Sequence, residues 1–306
     1  DKAAVEGAFK NAAHITKVTL WNNRCVVNSL ETRGAIADYD AKTDRSTLYT
    51  GSQGASLIHP QIADAVLKIG KDKLRVITPN VGGGFGMKIF LYCEQCLIVW
   101  ASRKAKRPVR WIAERSEAFL SDTQGRDNHS VAELALDKDA KFLALRVTTH
   151  ANLGAYLSNF GPYIPTAGTR MLAGVYKTPA IYINVKGVLT NTVPMDAYRG
   201  AGRPEAIYLL ERTVDAAARE LGLSPDEIRR RNFIQPADIP YKTSLGDLYD
   251  SGDFPGNMQR SMTKADWTSF AARRAESEKR GLLRGIGMAY YIEICGNGPG
   301  EGAIIK

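Results

Sequence analysis

The chain has 306 residues, enough for one large domain or two modest ones. Hydrophobic residues make up 44% and charged residues 24%, a balance that excludes a disordered or collagen-like chain. The net charge is +9, but its densest runs, Arg103 to Arg107 and Arg229 to Arg231, fall at predicted helix ends, which argues for solvated ends or partner contacts over a nucleic-acid stripe.

In chain order, Val5 to His14 reads as a helix. Ile15 to Val27, Ala35 to Tyr39 and Ser46 to Tyr49 alternate as strands. Ser56 to Ile69 carries Leu57, Ile58, Ile62, Ala65, Val66 and Ile69 at helical spacing. A short apolar strand, Leu74 to Ile77, then leads into Val81-Gly82-Gly83-Gly84-Phe85-Gly86-Met87-Lys88, and a helical run follows from Phe90 to Ala101. Four glycines in five residues let the backbone take positive φ and expose bare N–H groups, which suits anionic oxygens. The loop fits neither phosphate-binding template. Met87 separates Gly86 from the lysine of a Walker loop, and it also occupies the last glycine position of a dinucleotide fingerprint.

Cys93 and Cys96 lie within that helical run. Without a second pair at zinc spacing they read as one helix face, and four cysteines in all suggest no disulfide framework, so a reducing cytoplasm is expected. Pro108 to Ile112 reads as a buried strand, and Ser130 to Leu136 with Phe142 to Ala151 as a hairpin. Gly154 to Pro179 is rich in glycine, proline and aromatics without clear periodicity, and Tyr182 to Thr190 is a strand.

Asp196-Ala197-Tyr198-Arg199-Gly200-Ala201-Gly202-Arg203-Pro204 is a second glycine loop between a strand and a helix. Arg199 can offer a planar fork to an oxyanion or carboxylate, and Arg203 to a phosphate. The helix runs from Glu205 to Leu221. Another starts at the capping sequence Ser224-Pro225-Asp226-Glu227 and ends near Arg231. Ile234 to Asp253 reads as loop, two further helices end near Arg280, and Arg284 to Ile294 alternates as a strand. No run approaches the length of a membrane span. The chain opens on Asp and closes on a strand-like Ala303 to Lys306, which suggests a piece of a longer protein. The irregular mixture of strands and helices indicates an α+β fold with mixed sheets, with a subdivision near residue 150.

With both loops in hand, the chain resembles the molybdenum-binding large subunit of the xanthine dehydrogenase and aldehyde oxidase family, and within it the second form of the aerobic carbon monoxide dehydrogenase large subunit. The resemblance is carried by Leu30 to Ala35, Thr50 to Gln53, the GGGFG loop, Arg107 to Trp111, Ala197 to Arg203, Arg229 to Ile234 and Tyr249 to Asp253, in family order. It implies the molybdenum hydroxylase fold and a molybdopterin dithiolene cofactor with molybdenum, in bacteria often the cytosine dinucleotide form. Gln53 would hydrogen-bond a molybdenum oxo ligand. The backbone at Phe85 and Gly86 would lie against the metal's ligands, with Gly83, Gly84, Gly200 and Ala201 completing the cofactor loops. Arg199 would face the substrate. The metal itself would be held through the dithiolene. Partner subunits would carry [2Fe–2S] clusters and FAD, and the whole complex would form a dimer, with neither nucleic acid nor membrane as partner.

Two departures bear on substrate. Ile89 stands where purine-hydroxylating members have glutamate, and Gly200 stands where copper-bearing carbon monoxide dehydrogenases have cysteine. The resemblance therefore points to oxidative hydroxylation of an aldehyde or N-heterocycle with oxygen from water. Purine or carbon monoxide oxidation, and a non-catalytic scaffold that keeps the fold, remain as alternatives, and a basic nucleotide- or RNA-binding protein is a further one. Within this resemblance the small N-terminal domain, the second pterin loop and the catalytic glutamate lie outside the chain. The chain by itself is thus expected to bind the cofactor weakly or not at all and to be inactive.

Overall fold

A computed structural model describes residues 1–293. Helix α1 (Lys2–Lys10) is capped by the Asp1 carboxylate and buries Val5 and Phe9. Strand β1 (His14–Asn22) follows; it stops short of the expected Val27, and Cys25 makes only an isolated bridge to Gly125. Strands β2 (Gly34–Asp40) and β3 (Arg45–Thr50) form a tight antiparallel pair. Helix α2 (Ala55–Pro60) continues into a π-helix over Gln61–Leu67, so the long expected helix is broken in character where Pro60 removes a donor. Strand β4 (Leu74–Ile77) runs parallel to β3.

Helix α3 (Cys93–Ala105) starts later than expected, because Phe90 is extended. Strand β5 (Val109–Ile112) completes a sheet in the order β4-β3-β2-β5. Its core joins Ala37 and Leu48 to Ile58 and Ile62 of the α2 segment and to Ile98 and Val99 of α3. Helix α4 (Arg115–Ser121) was not foreseen from periodicity; its seven residues bury only Ala118.

The second sheet is built from β1, β6 (Asn128–Leu136), β7 (Phe142–Gly154) and β8 (Ala180–Leu189), in that order. The β6–β7 hairpin is antiparallel, and β8 lies parallel to β7. Between β7 and β8, a short helix α5 (Ile164–Ala167) runs into a 3-10 turn over Gly168–Ala173. Helix α6 (Arg203–Glu220) packs Ile207, Leu210, Val214 and Ala217 onto this sheet. The expected subdivision near residue 150 falls inside β7. The hydrophobic cores divide instead with the sheet between residues 34 and 112 on one side and the β1-β6-β7-β8 sheet on the other.

Helix α7 (Pro225–Asn232) is capped by Ser224, and the segment after it holds a two-residue pair, β9 (Tyr241–Lys242) with β10 (Leu248–Tyr249). Helices α8 (Phe254–Lys264) and α9 (Phe270–Lys279) follow. Two expectations are corrected here. Arg229 is not a solvated helix end: it is fully buried, with Glu211 at 2.7 Å and Asp215 at 2.9 Å. Residues 284–293 form no strand; two of their backbone groups go to side chains, Arg229 donating to the Met288 carbonyl and the Tyr290 N–H donating to Glu211. The expected features at Ile294, Cys295 and Ala303 to Lys306 lie outside the described residues. Among the described residues no helix is long and apolar enough to cross a membrane.

Candidate functional site

The first glycine loop is anchored from behind by an ion pair. Lys88 has a side chain only 1% exposed, and its ammonium meets Glu31 Oε2 at 2.7 Å. The same carboxylate oxygen accepts the Gly82 N–H at 2.9 Å, and the Glu31 N–H returns a bond to the Gly82 carbonyl. Burial pushes the Glu31 carboxyl up, but Lys88 and the Gly82 N–H together hold it below the usual range. The loop therefore leaves β4 on a fixed stem.

Its tip takes unusual backbone. Gly83 and Gly86 have φ of +93° and +105°, and Phe85, an L-residue, sits at +51°. Only glycine adopts the first two without strain. The glycines also answer a spatial demand within the protein. A Cβ on Gly86 would collide with the Ala197 carbonyl, and one on Gly84 with the side-chain oxygen of Gln53. Gly83 packs closely against Phe85 and Ser29, and Gly84 against Gln53.

Gln53 lies just past the end of β3. Its N–H donates to the Lys88 carbonyl at 2.9 Å, and its Oε1 accepts the Gly86 N–H at 2.8 Å. The amide is thereby oriented, because a backbone N–H can only face the oxygen end. The Nε2 end makes no hydrogen bond among the described residues.

The second loop meets the first directly. The Arg199 N–H donates to the Phe85 carbonyl at 2.9 Å. Upstream, Asp196 is buried; one of its oxygens accepts the Ala197 N–H at 2.6 Å and the other the Phe160 N–H at 3.0 Å. Burial raises its pKa, while Ser158 and these N–H groups oppose the rise. Gly200, Ala201 and Gly202 all have positive φ, and Gly202 packs against Gly168 and the Ile164 carbonyl before α6 begins.

Together the loops enclose an open cleft of about 490 Å³ lined by Gln53, Phe85, Gly86, Ile89, Arg199 and Gly200, with Ala201 beside them. The Arg199 guanidinium is exposed and has no hydrogen bond or ion pair among the described residues. Arg203 differs. Its Nε pairs with Glu293 at 2.8 Å and its Nη1 with the Gly200 carbonyl, so the phosphate role considered for it is not available in this arrangement. Lys88 and Arg126 were not singled out as site residues. Arg126 donates to the Tyr198 and Arg199 carbonyls, and the Gly125-Arg126 step before β6 was its only sequence signal. On α3, Cys93 is exposed and Cys96 buried, and desolvation pushes the Cys96 thiol up to about 11.

Residues 1–233, which contain both loops, match the family described as the molybdopterin cofactor-binding domain. The chain belongs to this family. It is 35% identical over 98% of its length to the carbon monoxide dehydrogenase large chain of Hydrogenophaga pseudoflava, covering 38% of that protein. It is 30% identical over 97% of its length to the nicotine 6-hydroxylase large subunit of Paenarthrobacter nicotinovorans, covering 36% of it. Among solved structures, quinoline 2-oxidoreductase from Pseudomonas putida 86 superposes with a TM-score of 0.86 at 35% identity, over 90% of this chain and 35% of that one. The molybdopterin-binding domain thus spans well under half the length of the relatives it matches, and its α+β architecture is that of a molybdenum hydroxylase large subunit.

Proposed function

We propose that this chain forms one wall of the molybdopterin pocket in the large subunit of a molybdenum hydroxylase. The observation that carries the reading is the pairing, across one cleft, of an oriented Gln53 amide and an Arg199 guanidinium that has no partner among the described residues. The residues fit the group: Gln53 and Arg199 at the cleft offer donors, and a cofactor rich in oxo and phosphate oxygens needs donors. Gln53 would donate through Nε2 to an oxo ligand, and the bare backbone at Phe85 and Gly86 would lie alongside. Arg199 would meet the negative charge that develops on the substrate, an effect worth about 3 kcal/mol for one well-placed donor. When bound, the molybdenum cofactor supplies the two-electron oxidation and the delivery of a water-derived oxygen.

The complete enzyme would hydroxylate an aldehyde or an uncharged N-heterocycle. Ile89, half-buried at the cleft, offers no partner to a purine, and Gly200 offers no thiolate to copper. Relatives named as large chains and large subunits support an assembly with [2Fe–2S] and FAD subunits, which would carry the electrons away, and such complexes would pair as dimers in the cytoplasm. The cytosine dinucleotide form of the cofactor belongs to the same proposal. The test is to produce the full large subunit with its partners and measure metal and turnover. About one molybdenum per subunit, with oxidation of at least one aldehyde or heterocycle, is expected. A folded complex that holds no molybdenum overturns the reading and favours a scaffold.

A further inference from the structure

The turn between α4 and β6 delivers a side chain into the second glycine loop. Arg126 and Asp127 both have positive φ there, at +70° and +63°. Gly125 lets this turn approach closely, since a Cβ on it would lie 2.5 Å from the Tyr198 Cβ. The Arg126 guanidinium then makes a fan of contacts. Nη2 donates to the Arg199 carbonyl at 2.9 Å, and Nη1 donates to the Tyr198 carbonyl at 3.2 Å and to Glu205 Oε1 at 3.0 Å. Its plane also lies over the Tyr198 ring, 4.7 Å from the centroid.

Both members of the ion pair are largely buried, with side chains 11% and 6% exposed. Glu205 is in the first turn of α6, and its second oxygen, Oε2, is buried with no protein partner among the described residues. Glu205 also borders a small cavity of about 30 Å³ lined by Leu20, Leu172 and Leu209 together with Asn128, Ser130 and Thr149.

Arg199 is therefore gripped on both sides of its own backbone. Its N–H is fixed by Phe85 and its carbonyl by Arg126, while its guanidinium has no partner among the described residues. We propose that Arg126 is a positioning residue for Arg199. The planar fork sets the Tyr198–Arg199 peptide so that the Arg199 side chain leaves it toward the cleft, and Glu205 locks the fork. This rests on the reading that Arg199 faces the substrate.

The test uses the full subunit in its complex and has two arms. Hydrogen exchange is read over residues 196–203 and, as a control, over β6 and β7. Arg126→Ala is expected to speed exchange in 196–203 at least roughly tenfold with the sheet unchanged, because only the loop loses its carbonyl partners. In the kinetic arm, Arg126→Ala is expected to lower kcat roughly 10- to 100-fold, the scale of a slightly misplaced group. In an Arg199→Ala background it should add no further loss, since both changes act through one side chain.

Unchanged exchange in 196–203, or equal acceleration throughout the sheet, overturns the proposal, as does an additive loss of kcat. If Arg199→Ala alone keeps kcat within threefold, the reading of Arg199 fails and the catalytic half of this proposal fails with it. The exchange arm still decides whether Arg126 holds the loop. Should Arg126→Ala not fold, Arg126→Lys carries the same comparison, because it keeps a cation beside Glu205 but loses the fork. Wild-type exchange and kcat in that variant overturn the proposal.

Discussion

The Gly86 N–H donates to Gln53 Oε1 at 2.8 Å, so the glutamine turns its NH₂ group toward the cleft. Gln53→Ala removes that donor, and Gln53→Glu replaces it with an acceptor while still offering Gly86 an oxygen. Both are expected to lower kcat of the assembled enzyme by about 10²-fold, equivalent to about 3 kcal/mol at the transition state. Steady-state kinetics decide it. If Gln53→Glu works as well as wild type, the exposed NH₂ has no part in the reaction.

Gly86→Ala tests whether the two loops interlock. The new Cβ would strike the Ala197 carbonyl at a φ of +105°, and a loss of more than about 2 kcal/mol is expected. Gly7 in α1 is the control. A Cβ there meets nothing within 4 Å, so Gly7→Ala should stabilise by about 0.5–1 kcal/mol through helix propensity. Urea unfolding measures both. Equal midpoints for Gly86→Ala and wild type would rule out the interlock.

The Glu31–Lys88 pair should make stability pH-dependent. Glu31 is held below the usual carboxylate range in the folded state, so its contribution is complete above that range and is lost as pH falls through the depressed value. Glu31→Gln should cost about 1–2 kcal/mol at neutral pH, because Lys88 keeps a buried ammonium without its carboxylate. The figure stays modest because Glu31 is 45% exposed. The gap between variant and wild type should shrink below about pH 4. A gap that widens in acid contradicts the sign.

Arg33 is held between Glu94 at 2.9 Å and Asp122 at 2.5 Å, and its guanidinium stacks 3.6 Å from the centre of the Tyr92 ring. Arg33→Met leaves two carboxylates in a buried setting and should destabilise by about 3–5 kcal/mol. Calorimetry on the folded domain tests this. A shift under about 1 kcal/mol would mean that water reaches these carboxylates.

Substrate preference is the boldest expectation. Ile89 leaves purine N–H and C=O groups unpaired, each costing about 1–3 kcal/mol, so aldehydes or small heterocycles should exceed xanthine and carbon monoxide in kcat/KM. Ile89→Glu should narrow the gap to xanthine. A wild-type enzyme that favours xanthine or carbon monoxide over every aldehyde and heterocycle tried refutes it.

Periodicity located most strands and the long helices, because an amphipathic face is written locally. The α4 helix escaped because seven residues with one buried side chain carry too little pattern. Both glycine loops were visible as loops, and the resemblance named Gln53 and Arg199, but nothing local says that Gly86 faces Ala197 or that Arg203 is committed to Glu293 while the Arg199 guanidinium has no partner among the described residues. Arg126 and Arg229 look like any surface arginine in the sequence. Their roles depend on Glu205 and Glu211, which only the fold brings near.

The cleft has one wall from each sheet. Gln53 and the first glycine loop extend from β3 and β4, whereas Arg199 follows β8, more than a hundred residues along the chain from Phe85. A rigid tilt of one sheet against the other would therefore change the gap between Gln53 and Arg199 while leaving each wall intact. Contacts this distant in sequence also close only after local structure exists. The mouth of the cleft is thus a gauge of how the two lobes are seated, and a chain in which only one lobe has folded has no cleft at all.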